Sequence, residues 1–189
     1  MVQQASALIK KSKKPILYVG GGIIHSKANN ELFELATKFN IPVVTTLMGR
    51  GAFPDGHELC LEMPGMHGNY TATTSIQNAD LLIAIGVRFD DRVTANPSFF
   101  AQNAKVIHAD IDPAEIGKVR DAQVPIVGDA KSVIKGLIES LGDEKLNTEN
   151  WISELKEMKT EFPLSYKQED KGPLKVPYAV SYTHLRAHE

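Results

Sequence analysis

Four charged side chains follow directly on an apolar segment near the middle of the chain. The run "DLLIAIG" covers residues 80–86 and has the composition of a buried strand, and Arg88, Asp90, Asp91 and Arg92 come soon after it. Two guanidinium groups can bind the oxygens of a diphosphate, and two carboxylates can orient the guanidinium groups. A solvated loop is the alternative interpretation, because charged turns are common at protein surfaces.

Four further apolar segments also end in residues suited to binding a nucleotide. The residues at the five segment ends are the glycines at 20–22, residues 45–49, Gly86 with the charged cluster, Asp110, Asp112, Gly128 and Asp129. Glycine backbone allows close approach of a ligand, and the helix N-termini that follow favour anions. Carboxylates can accept hydrogen bonds from ribose or ribityl hydroxyls. If the segments are parallel strands, their ends meet at one edge of a sheet and predict a dinucleotide site.

The apolar pattern predicts five such strands separated by helices. The strand segments are "PILYV", "IPVVTTL", "DLLIAIGV", "KVIHADID" and "VPIVGD". Helices are predicted over residues 3–11, 27–40, 71–79 and 130–141, and two of them have apolar residues three and four positions apart. Short strands without alternation are buried on both faces. The sequence therefore predicts a doubly wound parallel α/β sheet with a Rossmann-like arrangement.

The character of the chain changes after Gly142. Residues 143–162 are polar with a narrow apolar stripe at helical spacing, and residues 163–180 contain three prolines and no period. We therefore expect a domain core in residues 1–142, and a helix with a linker toward a further domain in residues 143–180. Residues 181–189 resemble a translated cloning adaptor, so we expect a tail that is not native and build nothing on it.

The overall composition excludes several classes of protein. Hydrophobic residues make up 42% and charged residues 23% of the 189 residues, and the formal net charge is −2. A general nucleic-acid binder would carry a basic face. Cys60 is the only cysteine, which excludes a disulfide framework and a four-cysteine zinc site. No apolar run approaches the length of a membrane span, and the N-terminal residues lack the order of a signal peptide. We expect a cytoplasmic protein without nucleic-acid or membrane partners.

The standard dinucleotide fingerprint and a complete active site are both missing. After Gly20 and Gly22 the fingerprint requires a third glycine, and His25 stands there. The second strand also lacks the terminal acid that would hold an NAD ribose, so an ordinary NAD dehydrogenase is disfavoured. His67 and His108 belong to no compact metal-ligand spacing, and no serine or cysteine lies in a nucleophile elbow. The sequence predicts a binding domain with no catalytic residue and no metal ligand of its own.

Six segments together resemble the central domain of the acetohydroxyacid (acetolactate) synthase large subunit, which depends on thiamine diphosphate. They are "PILYVGGGI", "PVVTTLMGRGAFP", "PGMHG", "NADLLIAIGVRFDDRVT", "HADIDPAEIGK" and "VPIVGDA". The resemblance runs in one colinear order over about residues 3–142, and "GVRFDDRVT" and "DIDPAEIGK" are its most specific parts. It implies a DHS-like NAD/FAD-binding fold that holds FAD in an extended pose, in a structural rather than redox role.

The resemblance also implies which residues contact FAD. Contacts along the nucleotide path, the ribityl chain and the flavin ring are implied for Gly21, Gly22, Thr46, Leu47, Met48, Gly65, Met66 and His67. The next wall and the adenosine end are implied to be Gly86, Arg88, Asp90, Arg92, Val93, Asp110, Ile111, Glu115, Gly128 and Asp129. Arg92 would also face the substrate channel at a subunit interface. In this interpretation Asp90 and Asp91 fix the loop and both arginines.

The same resemblance predicts that the chain is a fragment. Members of the family have a preceding domain whose glutamate activates the thiamine ring, and a following domain that binds its diphosphate through Mg²⁺. Neither pattern occurs here, so we expect no activity from this piece alone. The parent enzyme would condense pyruvate with pyruvate or 2-oxobutyrate in branched-chain amino-acid biosynthesis. It would be a homo-oligomer, with a regulatory subunit as a further expected partner.

Other assignments stay open. Glyoxylate carboligase and 2-oxoacid decarboxylases depend on thiamine diphosphate and contain a similar middle domain. A free-standing flavin-binding or electron-transfer module is an alternative from a different class. An NAD-dependent deacylase of similar topology would usually need four zinc-binding cysteines, and this chain has only Cys60.

Overall fold

The computed structural model describes residues 1–163 and contains one five-stranded parallel sheet. Its strands are β1 (Pro15–Val19), β2 (Val43–Thr45), β3 (Leu81–Ile85), β4 (Lys105–Asp110) and β5 (Val124–Val127). They lie in the order β2-β1-β3-β4-β5, and all four neighbouring pairs are parallel. Residues 164–180 of the predicted linker and the predicted tail at 181–189 lie outside the described residues.

In residues 1–163, seven α-helices connect and cover the strands. They are α1 (Val2–Lys11), α2 (Gly21–His25), α3 (Asn29–Phe39), α4 (Tyr70–Asn78), α5 (Asp91–Thr94), α6 (Ala130–Leu141) and α7 (Glu149–Glu161). Short polar side chains cap three of them: Asn69 accepts a hydrogen bond from Ala72 N at 2.7 Å, Asp90 accepts one from Arg92 N at 3.0 Å, and Asp129 accepts one from Ser132 N at 3.2 Å. Within residues 1–163, no helix combines the length and apolar character needed to cross a membrane.

The sheet separates two apolar layers, which explains why its strands do not alternate. In β1, Leu17 and Val19 pack with α1, α3 and α6 in one layer, whereas Ile16 and Tyr18 pack with α4 and α7 in the other. Every residue of β1 and β3 is buried. A strand covered on both faces needs apolar residues at successive positions. The predicted doubly wound parallel α/β fold is confirmed.

The helix α7, which follows the predicted end of the domain core at residue 142, packs against the buried core. Trp151 is 1% exposed, and its indole N–H donates to the Pro15 carbonyl at 3.2 Å. Leu155 is also buried in the layer that contains α4. Thr148 ties the start of α7 to the Asn40 carbonyl at 3.1 Å. The narrow apolar stripe of this helix is therefore enough to join it to the core, although the position of a domain boundary stays a prediction.

The strand order places a topological switch point between β1 and β3. The chain leaves β1 toward β2 on one side and later continues from β3 toward β4 on the other. The loops after β1 and β3 therefore diverge above adjacent strand ends, although Gly20 N still donates to the Ile85 carbonyl at 3.1 Å. Ligands in doubly wound sheets bind at such a point, at the carboxyl ends of the strands.

Candidate functional site

A cleft of about 600 Å³ opens at the switch point between β1 and β3. Small-molecule and cofactor sites usually occupy roughly 300 to 1,000 Å³. The loops after β1, β3, β4 and β5 form its walls, and Met48 from the loop after β2 contributes at the edge. The full lining is Gly21, Gly22, His25, Ser26, Met48, Gly86, Arg88, Ala109, Asp110, Ile111, Asp112, Glu115, Gly128, Asp129 and Ala130.

The cleft brings together one part of the predicted cofactor contacts. Those in its lining are Gly21, Gly22, Met48, Gly86, Arg88, Asp110, Ile111, Glu115, Gly128 and Asp129. This set includes every residue predicted for the adenosine end. His25 and Ser26 also line the cleft and were not predicted as contacts. They lie about one helical turn after Gly21 and Gly22, so the helical period of α2 could have indicated them.

Two glycines allow the loops after β1 and β3 to cross at the cleft. A Cβ placed on Gly22 would lie 2.6 Å from the Cα of Gly86, so no side chain fits there. Gly86 has φ of +61°, and its carbonyl accepts a hydrogen bond from Gly22 N at 3.3 Å. Gly21 differs, because its nearest neighbour would be Met48 Cβ at 3.4 Å, an ordinary contact. The packing of the two loops alone therefore accounts for Gly22 and Gly86, and it leaves glycine backbone along the cleft.

The carboxylates of the cleft hold their own loops and keep spare acceptors. Asp110 accepts a hydrogen bond from Asp112 N at 3.0 Å, and Asp129 accepts one from Ser132 N at 3.2 Å, each through Oδ1. The Oδ2 atoms of Asp110 and Asp129 have no hydrogen-bond donor within residues 1–163. Glu115 pairs with Lys118 at 2.9 Å. The two aspartates can therefore accept ligand hydroxyl groups without giving up their local bonds.

Arg88 and Arg92 have different surroundings. Arg88 is exposed, lines the cleft and forms no ion pair with any residue of 1–163. Arg92 lies outside the cleft lining, and its guanidinium group is 3.4 Å from the Asp91 carboxylate. Asp90 begins α5 by accepting a hydrogen bond from Arg92 N at 3.0 Å. Within residues 1–163, Asp90 and Asp91 therefore form hydrogen bonds with Arg92 and none with Arg88, and their role in fixing the loop stays a prediction.

The pKa of the Asp90 carboxyl lies below its ordinary value. The main cause is the hydrogen bond that it accepts from Arg92 N, opposed in part by desolvation. A hydrogen bond with Asp91 and the positive charges of Arg88 and Arg92 lower the pKa further. Asp90 is therefore ionised at neutral pH and strengthens the start of α5.

The loop predicted along the ribityl chain and toward the flavin ring contacts two residues of the predicted next wall, outside the cleft. We call Gly65, Met66, His67, Arg92 and Val93 the rim patch; none of them lines the cleft. Met66 N donates to the Arg92 carbonyl at 3.0 Å, which joins the two loops. Gly65 has φ of +98°, and a Cβ on it would lie 2.6 Å from the same carbonyl oxygen. Met66 is 70% exposed, so the patch presents an apolar side chain to solvent.

Three further predicted contacts also lie outside the cleft lining. Thr46 caps the short 3₁₀ helix that follows β2, accepting a hydrogen bond from Gly49 N at 3.1 Å. Leu47 is 70% exposed beside Met48, and Asp90 lies in the loop that leads from the cleft to the rim patch. The structure therefore divides most of the predicted contacts between two surfaces, which residues 86–93 connect along the chain.

The chemistry of these surfaces fits FAD. A diphosphate needs close backbone approach and a positive charge, which the glycines and Arg88 offer. Ribose and ribityl hydroxyls need acceptors, which the spare oxygens of Asp110 and Asp129 offer. Flat rings need apolar surface, and Ile111 and Met66 are 73% and 70% exposed. Within residues 1–163, no three His, Cys, Asp or Glu side chains are placed to hold a metal ion.

Several acetolactate synthases are similar to the chain over most of its length. The chain is 52% identical over 185 residues to the acetolactate synthase large subunit of Corynebacterium glutamicum, covering 96% of this chain and 29% of that protein. It is 51% identical to an acetolactate synthase of Mycobacterium avium, covering 95% and 30%. It is 46% identical to the acetolactate synthase large subunit of Cyanidium caldarium, covering 90% and 30%. The chain thus spans less than a third of the length of these relatives.

A protein-family model matches most of the described chain. Residues 2–137 match the family described as thiamine pyrophosphate enzyme, central domain. The match includes all five strands and both surfaces of the candidate site, and it ends within α6. The chain therefore belongs to the thiamine pyrophosphate enzyme family, as its central domain.

Proposed function

We propose that this chain is the central domain of an acetolactate synthase large subunit and that it binds FAD in a structural role. The identity of about half its residues to acetolactate synthases, over at least 90% of the chain, supports the enzyme assignment. The observation that carries the cofactor assignment is the switch-point cleft, with its glycine backbone and with Arg88, which has no ion-pair partner within residues 1–163.

The two surfaces suggest how FAD would lie. The cleft contains the residues predicted for the adenosine end, so it would hold the ADP half of the cofactor. Arg88 would neutralise the diphosphate, and Asp110 and Asp129 would accept hydroxyl hydrogens. The rim patch contains Gly65, Met66 and His67, which are predicted along the ribityl chain and toward the flavin ring, and it would support the isoalloxazine ring through Met66. Residues 86–93 connect the two halves.

The whole enzyme would carry its chemistry elsewhere. It would condense two molecules of pyruvate, or pyruvate and 2-oxobutyrate, with loss of CO₂, in cytoplasmic branched-chain amino-acid biosynthesis. Thiamine diphosphate, bound with Mg²⁺ outside this chain, would supply the electron sink for that reaction. The enzyme would be a homo-oligomer, with or without a regulatory subunit, and Arg92 would face its substrate channel. This chain would contribute binding surface and no catalytic residue.

A titration of the purified chain with FAD and with ADP tests the cofactor assignment. Flavin fluorescence would report FAD affinity, and calorimetry would report ADP affinity. Replacing Arg88 removes a charge-assisted contact, so R88A should weaken both ligands about 10- to 100-fold. R92A is the matched control, because it removes an arginine that is already paired and lies outside the cleft. It should leave ADP affinity unchanged and weaken FAD only a few-fold.

Each result has a defined meaning. If the folded wild-type chain binds neither FAD nor ADP, the cofactor assignment for this chain is wrong. If R88A binds ADP as well as the wild type does, the cleft does not hold the diphosphate. A bound flavin that dithionite reduces readily and reversibly would favour an electron-transfer module over a structural cofactor.

A further inference from the structure

His108 lies in the buried middle of the sheet and makes one polar contact. Its side chain is fully buried on β4, and its Nε2 lies 2.8 Å from the Val87 carbonyl oxygen. A carbonyl oxygen only accepts hydrogen bonds, so Nε2 carries the proton and donates. Nδ1 has no partner within residues 1–163, and burial lowers the pKa of the ring. The imidazole is therefore neutral, with its proton fixed on Nε2.

His108 contacts the residues on both sides of Arg88. Val87 receives the hydrogen bond, and the Phe89 ring packs edge-on against the imidazole with centroids 5.0 Å apart. Val87 is 2% and Phe89 is 1% exposed, whereas Arg88 between them is exposed. Val87 and Phe89 are both held in the core by contacts with His108. Because the residues on either side of it are held inward, the side chain of Arg88 is directed outward. It lines the cleft.

The turn that carries Arg88 is strained and needs such anchors. Gly86 has φ of +61° and Phe89 has φ of +53°, a left-handed conformation that bulky residues rarely adopt. Strained backbone persists only where surrounding contacts determine it. Gly86 N donates to the Ala109 carbonyl at 2.8 Å, so His108 and Ala109 of β4 tie down Val87 and Gly86 in turn.

We propose that His108 is a positioning residue that orients Arg88 toward the diphosphate of the cofactor. This inference rests on the proposed function, since it concerns the same cleft. A histidine that only filled the core would be replaceable by an apolar ring of similar size. A positioning histidine would need its Nε2 donor, and its effect on binding would depend on Arg88.

Two substitutions of His108 separate these roles. H108F keeps a ring against Phe89 but leaves the Val87 carbonyl without a donor, so FAD and ADP affinity should fall about 3- to 10-fold. H108Q offers an amide donor of similar reach and should bind both ligands within about twofold of the wild type. Urea unfolding of every variant, followed by Trp151 fluorescence, would show whether the fold is kept.

A double-mutant cycle tests the dependence on Arg88. In the R88A background, H108F should cause no further loss of FAD affinity, because the arginine that it orients is absent. If the losses of FAD affinity from H108F and R88A multiply in the double variant, the inference is wrong. It is also wrong if H108F alone binds FAD as tightly as the wild type does. If H108F does not fold, H108L takes its place, because it also removes the donor to the Val87 carbonyl; the same loss of FAD and ADP affinity is expected, and wild-type affinity would overturn the inference.

The outcomes distinguish this inference from the proposed function. Wild-type protein that fails to bind FAD and ADP contradicts the proposed function itself. Wild-type binding with an unaffected H108F, in a folded protein, contradicts only the role of His108. A weakened H108F that H108Q does not restore would assign the loss to packing, and it would also overturn the inference.

Discussion

The cleft and the rim patch lie at the same edge of the sheet, and each has an arginine with aspartates near it. The charged groups of the two regions nevertheless have different partners. In the cleft, Arg88 has no ion-pair partner among the described residues, and Asp110 keeps a spare oxygen. In the rim patch and the adjoining α5, Arg92 pairs with Asp91, and Asp90 accepts a hydrogen bond from Arg92 N. One set of charges faces an open volume, and the other stabilises its own loop.

The backbone of the two regions differs as well. In the cleft, Gly22 and Gly86 let the loop after β1 cross directly against the loop after β3, so the wall of the cleft is backbone packed on backbone. The rim patch is two loops joined by the hydrogen bond from Met66 N to the Arg92 carbonyl. A change in the cleft should therefore affect both fold and binding, whereas a change in the rim patch should affect mainly binding of the flavin end.

The largest expected effect comes from closing the crossing in the cleft. G22A places a Cβ 2.6 Å from the Cα of Gly86, and backbone cannot move away as a flexible side chain can. We expect a loss of roughly 2–3 kcal/mol in the free energy of unfolding, measured in urea through Trp151 fluorescence. G56A is the matched control, because no heavy atom lies within 4 Å of a Cβ at that position. Equal midpoints for the two variants would contradict the crossing.

The fold and several residues that line the cleft could be predicted from the sequence for the same physical reason. Residues at the ends of parallel strands must meet at one edge, so Gly86, Asp110 and Asp129 follow from the apolar pattern alone. Their roles toward a ligand stay predictions. The absence of an ion-pair partner for Arg88 within residues 1–163 could not be predicted, because either arginine of the cluster could have paired with Asp91.

Other features depend on contacts that no local pattern contains. The loop with Gly65 belongs to a long connection between β2 and α4, and nothing periodic in it indicates that it packs on Val93. The apolar pattern places His108 on a strand, but its hydrogen bond to the Val87 carbonyl requires the turn after β3 to fold back toward β4. Trp151 is buried against β1, where its indole N–H donates to the carbonyl of Pro15, a residue far away in the sequence.

A change in the rim patch should weaken binding of the flavin half of FAD and leave binding of the ADP half unchanged. G65A places a Cβ 2.6 Å from the Arg92 carbonyl oxygen at φ of +98°, so the two loops must move apart. We expect a cost of about 1–2 kcal/mol in unfolding free energy and a several-fold loss of FAD affinity, with ADP affinity unchanged. Fluorescence and calorimetric titrations would measure the two ligands.

The control for this change isolates backbone strain. Gly117 has φ of +76° and open space around a Cβ, so G117A carries a similar conformational cost without the collision. It should lower stability by a smaller amount and leave FAD affinity unchanged. If G65A lowered the affinity for ADP as much as that for FAD, the proposal that the cleft and the rim patch bind separate halves of the cofactor would be wrong.

The smallest expected effect concerns Asp90, which begins the helix between the two regions. Its pKa in the folded protein lies below the ordinary 3.8, chiefly because it accepts a hydrogen bond from Arg92 N. The stabilisation is therefore fully present above pH 3.8 and is lost as the pH falls through the lowered value. D90N keeps an acceptor for Arg92 N and removes the charge. Because Asp90 is exposed, we expect a difference below about 1 kcal/mol at neutral pH.

This difference should shrink toward zero as the pH is lowered, because the wild-type carboxylate becomes protonated and then resembles the amide in charge. Urea unfolding of wild type and D90N at a series of pH values from 6 downward would measure it. D121N removes another exposed carboxylate, one without a hydrogen bond in the described part of the chain, and gives the effect of a surface charge alone. A D90N effect equal to that of D121N would mean that the charge of Asp90 does not hold α5. The connection between cleft and rim patch would then depend on its backbone bonds alone.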